Sequence, residues 1–329
     1  MMGGENRAML RVTNLTKEFP INQGVFKKSK VAVHAVTDVS FEVREGETMG
    51  LVGESGCGKS TAGRSVLRLI EPTSGTIEYK GRDITNLPSG EMRMLRRELQ
   101  MIFQDPYTSL NPRIQIGKIV EEPMRIFKMY DSNKEYRDRA MEMLSKVGIR
   151  PDQYTRYPHE FSGGQRQRIG LARTLVLNPK MIICDEPVSA LDVSTQSQVL
   201  NLLAEIKEKM GITYIFISHN MSVVKYVSDH IGVMYLGHMV EQAPSEEMFA
   251  NPLHPYTRAL LSAVPEVNPE VKKERIVLPG DIPSPINSPS GCVFHNRCPY
   301  ATEECTYVVP AFREVAQGHK VACAKAGQI

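Results

Sequence analysis

The 329-residue chain has no tryptophan and almost no charge bias: 40 Lys and Arg stand against 37 Asp and Glu, a net charge of +3. That balance argues against nucleic acid as a partner, because domains that neutralise phosphate backbones are usually strongly basic. No apolar run approaches the roughly 20 residues of a membrane-crossing helix, so membrane association has to come through a partner. The first residues, Met1 to Arg7, carry an acid and lead into a strand pattern where a signal peptide would have an apolar core, so a cytoplasmic location is expected. The one basic run, Lys27-Lys28-Ser29-Lys30, lies between two strand patterns and reads as a solvated loop. Cysteine is scarce as well, six in all. Cys57 and Cys184 stand singly in the body, whereas Cys292, Cys298, Cys305 and Cys323 crowd the end as C-x5-C-x6-C-x17-C. In a reducing compartment such a cluster points to a metal site before disulfides, yet it lacks the short C-x2-C pair usual in zinc modules.

What is present centres on Gly53-Glu54-Ser55-Gly56-Cys57-Gly58-Lys59-Ser60-Thr61. It fits the phosphate-loop pattern of a glycine, four free positions and Gly-Lys-Ser. Its glycines let backbone N–H groups turn inward round polyphosphate oxygens, in front of the positive end of the helix that follows. Lys59 would reach the outer phosphates and the Ser60 hydroxyl would hold Mg²⁺. The flanks suit the motif: 47–52 reads as a short apolar strand and 62–70 as a helix with Val66, Leu67, Leu69 and Ile70. Cys57 fills a free position at a helix start, where a thiol pKa is commonly lowered and the site becomes sensitive to thiol reagents.

Elsewhere, 10–19 and 31–43 alternate like antiparallel strands. Phe19 is either a platform for a nucleotide base or a core aromatic. Thr76 to Tyr79 reads as a strand ending in a Lys80-Gly81 hairpin tip. Leu99 to Phe103 reads as a buried strand ending at Gln104, whose amide could reach a metal-bound water. From 114 to 177 the period is helical, and Ser162 would N-cap a helix whose first residues Gly163, Gly164 and Gln165 expose backbone donors, a second phosphate-type site. Met181 to Asp185 is an apolar strand followed by Glu186. Asp185 suits Mg²⁺ through water, and Glu186 suits polarisation of an attacking water. Ser189 to Asp192 turns into a helix over 195–210 closed by Gly211, and a buried strand over 212–217 delivers His219 to the end where parallel α/β sheets place ligands.

In this order the motifs resemble those of the ATPase subunit of an ABC transporter: Gly53 to Thr61 the Walker A loop, Gln104 the Q-loop, Ser162 to Gln165 the signature, Met181 to Asp185 Walker B with Glu186 its catalytic acid, Ser189 to Asp192 the D-loop and His219 the switch histidine. The resemblance implies an α/β P-loop NTPase of ABC type over 8–265: a mostly parallel RecA-like sheet core, an N-terminal antiparallel β subdomain and a helical insertion at about 106–178. Phe103 to Pro112, His254 to Leu261 and the Ile282-Pro283-Ser284-Pro285 tail are similar to the oligopeptide and dipeptide importers, and the wording from Cys184 to Ser194 resembles the second, F-type ATPase of that family. A proline-rich connection then leads into a cysteine-rich extension over 266–329.

The family implies head-to-tail pairing of two ATPases, most simply two different chains. One ATP is then served by Lys59, Ser60, Asp185, Glu186 and His219, with Mg²⁺ held through Ser60, Gln104 and Asp185. The ATP of the opposite subunit is served by Ser162, Gly163, Gly164 and Gln165. It further implies two transmembrane permease subunits, an extracytoplasmic peptide-binding protein, a peripheral place on the cytoplasmic face of the inner membrane, and a [4Fe–4S] cluster on Cys292, Cys298, Cys305 and Cys323. Zinc is the alternative metal, and His295 and His319 are substitute ligands. Another cargo such as nickel, or a soluble ABC ATPase outside transport, are the competing functions.

Overall fold

The computed structural model describes residues 8–21, 31–105, 109–265 and 274–328. Met1 to Arg7, the basic run at Lys27 to Lys30, and Pro106-Tyr107-Thr108 of the importer wording lie outside them. The chain divides into two compact units, residues 1–86 with 216–329, and residues 87–215.

In the first unit, β1 (Ala8–Pro20) and β2 (Ala32–Arg44) pair antiparallel, as their alternation predicts, with Leu10, Val12 and Leu15 of β1 fully or nearly fully buried. β3 (Thr48–Val52) is buried at every position and runs toward the glycine-rich loop, after which α1 (Lys59–Val66) begins. The helix stops at Val66, short of the expected Ile70. Arg68 takes φ 49°, outside the helical region, and its guanidinium is tied to Glu71 and to the Ile84 carbonyl at 3.1 Å. β4 (Ser74–Tyr79) and β5 (Arg82–Asp83) complete a four-stranded sheet of order β2-β1-β4-β5. At their tip Lys80 and Gly81 both have positive φ, 51° and 78°, the requirement of a tight two-residue hairpin.

The second unit starts with α2 (Ser89–Leu95) and β6 (Leu99–Ile102). Its helices are α3 (Ile116–Ile126), α4 (Asn133–Lys146) and α5 (Gly163–Leu175), followed by β7 (Met181–Asp185) and α6 (Val193–Met210). β6 and β7 are parallel, with Leu99 opposite Met181. Their apolar runs without alternation follow from burial on both faces. Glu121 of α3 has no exposed side-chain surface, yet Arg125, Lys118 and the Tyr154 hydroxyl all bond its carboxylate. A charge there without such partners would cost several kcal/mol.

β8 (Thr213–Ser218) carries the chain back to the first unit, where it lies beside β3. There follow α7 (Met221–Val227), β9 (His230–Tyr235), β10 (His238–Pro244), α8 (Ser245–Ala250) and α9 (Pro255–Ser262). β9 runs parallel to β3 and antiparallel to β10. The proline-rich stretch from 274 contains no helix or strand, and it straps onto β2 where His34 N–H donates to the Pro285 carbonyl at 3.0 Å. The end of the tail carries two strands for which the sequence reading made no provision. β11 (Arg313–Ala316) and β12 (His319–Val321) add to β10 as antiparallel strands, giving the order β11-β12-β10-β9-β3. Strands of four and three residues are too short to show a period, so only their pairing reveals them. Among the described residues no helix is long and apolar enough to cross a membrane.

Candidate nucleotide-binding site

In the first unit the buried β3 ends at the loop, and backbone geometry there demands glycine. Gly53 and Gly58 have φ 151° and 101°, and a Cβ would come within 2.2 Å of the Met234 carbonyl at Gly53 and within 2.1 Å of the Ala35 carbonyl at Gly58. Gly56 also has positive φ, 80°. The loop curls round Lys59, which is only 4% exposed and donates from Nζ to the carbonyls of Gly53 at 2.8 Å and Glu54 at 2.9 Å. Ser60 and Thr61 follow in the first turn of α1. His219 is exposed just past the end of β8, directly before Asn220, which caps α7.

Two loop residues differ from their sequence reading. Cys57 is 3% exposed, and burial pushes its thiol up while Lys59 only partly offsets this, so the lowered pKa expected at a helix start is not found. Glu54, a free position of the motif, has its carboxylate forked onto Arg297 at 2.7 and 3.2 Å, and its N–H donates to the Tyr256 hydroxyl at 2.8 Å. Its side chain is thus committed to the tail. Phe19 is 38% exposed with the Lys17 ammonium 4.9 Å from its ring centre, which removes the core-aromatic reading.

In the second unit β7 delivers a fully buried Asp185, and Glu186 comes next in the left-handed region at φ 46°. Such backbone is strained for a non-glycine and gathers at functional positions. Gln104 Nε2 donates to the Glu186 carboxylate at 3.0 Å, which joins the two residues that sequence spacing keeps 82 apart. Ser162 caps α5 through a reciprocal box with Gln165, so Gly163 and Gly164 open the first turn and present backbone N–H groups at the positive helix end. Gly164 is also required by α6, since a Cβ there would lie 2.2 Å from the Thr195 methyl. Asp192 caps α6, and bonds from Ser194 and Thr195 hold its carboxyl well below the usual range. Neither the Glu186 backbone nor the Gly164–Thr195 approach has a signal in the sequence.

The four tail cysteines, Cys292, Cys298, Cys305 and Cys323, line one cavity together with Phe294 and His295. Burial pushes the Cys292 thiol up to about 11, and a hydrogen bond from Thr302 lowers that of Cys305. Cys292 N–H also donates to the Cys305 carbonyl at 2.8 Å. His319 is not with them: it is fully buried, 2.8 Å from Glu241 and 3.6 Å from Glu247. Among the described residues, no three His, Cys, Asp or Glu side chains are grouped so as to hold a metal ion.

Residues 36–189 match the family model described as ABC transporter, and residues 240–305 that described as oligopeptide/dipeptide transporter, C-terminal region. The chain is 52% identical to the oligopeptide transport ATP-binding protein AppF of Bacillus subtilis, over 98% of this chain and 99% of that one. It is 49% identical to the oligopeptide transport ATP-binding protein OppF of Salmonella typhimurium, over 98% and 97%. Among solved structures, a dimeric post-hydrolysis state of the ATP-binding cassette MJ0796 bound to ADP and Pi superposes with a TM-score of 0.64 at 29% identity, covering 72% of this chain and 99% of that one. With the phosphate loop, the helix-capping signature and the acid-ended strand all formed, and near-complete coverage at half identity, the chain belongs to the ATP-binding subunits of ABC transporters of the oligopeptide/dipeptide class.

Proposed function

We propose that this chain is the ATP-hydrolysing motor of a di- and oligopeptide importer. The observation that carries the hydrolytic part is Glu186, set in strained backbone at the end of a buried strand with its carboxylate held by Gln104. Lys59, Ser60 and the loop N–H groups hold the phosphates and Phe19 stacks on the base; Ser60, Gln104 and Asp185 would hold Mg²⁺, which would supply charge screening of the phosphates. Glu186 takes the proton from the attacking water, and His219 contacts the γ-phosphate and keeps that water in line. Ser162, Gly163, Gly164 and Gln165 engage the ATP of a second, non-identical ATPase subunit. Support for a two-subunit arrangement comes from the related cassette solved as a dimer with ADP and Pi. Closing on ATP and opening after hydrolysis is a ligand-driven two-state change passed to two permease subunits at the cytoplasmic face of the inner membrane, where an external binding protein supplies the peptide. Residues 8–265 are the ATPase body, with its helical insertion at about 106–178, and 266–329 the extension.

In the extension, Cys292, Cys298, Cys305 and Cys323 would hold a [4Fe–4S] cluster. Four thiols lining one cavity, with a C-x5-C-x6-C-x17-C spacing that lacks the short C-x2-C pair of zinc modules, support a multi-iron group over zinc. When bound it supplies a cross-link among four separate loop segments. The importer reading is tested by uptake in cells whose only copy is Lys59→Ala. Uptake of labelled di- and oligopeptides is expected to be lost while nickel uptake is unchanged. The opposite pattern would exclude the peptide reading.

A further inference from the structure

The tail reaches back to the phosphate loop through one side chain. Arg297 ends the short 3-10 turn His295–Arg297 and directly precedes Cys298, whose thiol lines the four-cysteine cavity. The arginine is 7% exposed and grips both oxygens of Glu54, the second residue of the loop, at 2.7 and 3.2 Å. A forked arginine–carboxylate pair fixes orientation as well as distance. The same residue is held again through its backbone, by the Tyr256 hydroxyl at 2.8 Å. Beneath them lies an aromatic cluster. The Tyr235 ring is 4.8 Å from Tyr256 and 5.1 Å from Phe294, and Phe294, two residues after Cys292, also lines the cavity. The Arg297 guanidinium sits 5.9 Å from the Tyr235 ring centre. Arg297 thus stands in contact with both the packing round the cysteines and the start of the loop.

We infer that Arg297 is a positioning residue for the phosphate loop, coupling order in the cysteine-lined tail to affinity for nucleotide. The inference rests on the nucleotide reading of that loop. Donors misplaced by a fraction of an ångström lose much of their grip on a polyphosphate. A coupling of this kind is reciprocal, so nucleotide must order the tail by as much as the tail favours nucleotide.

The test is titration of the full chain with a fluorescent ATP analogue and Mg²⁺, alongside hydrogen exchange with and without a non-hydrolysable analogue. Arg297→Ala is expected to weaken binding about fivefold or more, the low end of ordinary coupling. The exchanged pair Glu54→Arg with Arg297→Glu is expected to recover most of that loss, and Arg313→Ala on the exposed β11 to change nothing. In the unaltered chain nucleotide should slow exchange across 292–298, and in Arg297→Ala it should not. Should Arg297→Ala fold poorly, Glu54→Gln keeps the shape, removes the charge and should give the same direction. Equal affinity and an unchanged exchange response in Arg297→Ala or Glu54→Gln, with only a lower melting temperature, overturn the clamp. An unaltered chain that binds no nucleotide instead overturns the nucleotide reading beneath it.

Discussion

At the scale of single residues, the proposed hydrolysis turns on the carboxylate of Glu186, which follows the buried strand end at Asp185. Lys59, Ser60, Asp185 and Glu186 are identified by their neighbours in sequence, because a phosphate loop and an acid-ended strand are each made from one continuous stretch. Gln104 donates to the Glu186 carboxylate, and the proposed role of that carboxylate as general base is open to direct test. Glu186→Gln is expected to bind ATP and to hydrolyse it about a hundredfold more slowly or worse, the usual contribution of a positioned base. Phosphate release measured under single turnover checks this, and unchanged turnover would remove Glu186 from that role. Cys57 went the other way. Its position at a helix start suggested a reactive thiolate, but burial outweighs the helix and the lysine charge together. In the native protein, iodoacetamide should therefore label Cys57 and the equally buried Cys184 only after denaturation, as peptide mapping would show.

Among elements, helix starts were readable from caps, whereas contacts between helices were not. Ser162 accepts from Gln165 N–H and Gln165 answers the Ser162 N–H, a pairing set by a three-residue spacing. Gly164 is different, since its need for glycine comes from the Thr195 methyl on α6. Gly164→Ala is expected to destabilise by about 1–3 kcal/mol as overpacking does. Adding Thr195→Ser, which deletes the methyl and keeps the hydroxyl bonded to Asp192, should return most of it. Thermal unfolding of the single and double variants reads the difference. The tail strands depend on a different contact, His319 of β12 against Glu241 of β10. Burial alone would lower the His319 pKa, but the bond and charge of Glu241, with Glu247 behind, raise it above its ordinary value. A raised folded-state pKa means the stabilisation is fully present below about pH 6.5 and is lost as pH rises through the raised value. The melting-temperature gap between wild type and His319→Gln should therefore be widest below about pH 6.5 and narrow as pH rises through the raised value.

For the whole molecule, the extension is part of the first unit and not an appendage to it. β12 pairs with β10, Phe294 covers Tyr235 and Tyr256, and Arg297 neutralises Glu54. Truncation after Val264 is thus expected to lower the melting temperature sharply or to give insoluble protein, because it removes Phe294 from the rings of Tyr235 and Tyr256 and leaves the fully buried Glu241 without His319. Protein prepared without oxygen should carry about four irons per chain, lost together in Cys298→Ser, by metal analysis. One zinc per chain would overturn the cluster. The sequence by itself determined the phosphate loop, the capped signature helix, the acid-ended strand and the family they belong to, because each is encoded by spacing within one segment. Only the tertiary structure decided that Cys57 is buried, that Glu186 stands in strained backbone beside Gln104, and that the tail adds strands and grips Glu54. Those features arise from groups as far apart as Glu54 and Arg297, separated by 243 positions, and no local pattern records which distant side chain will share a buried site.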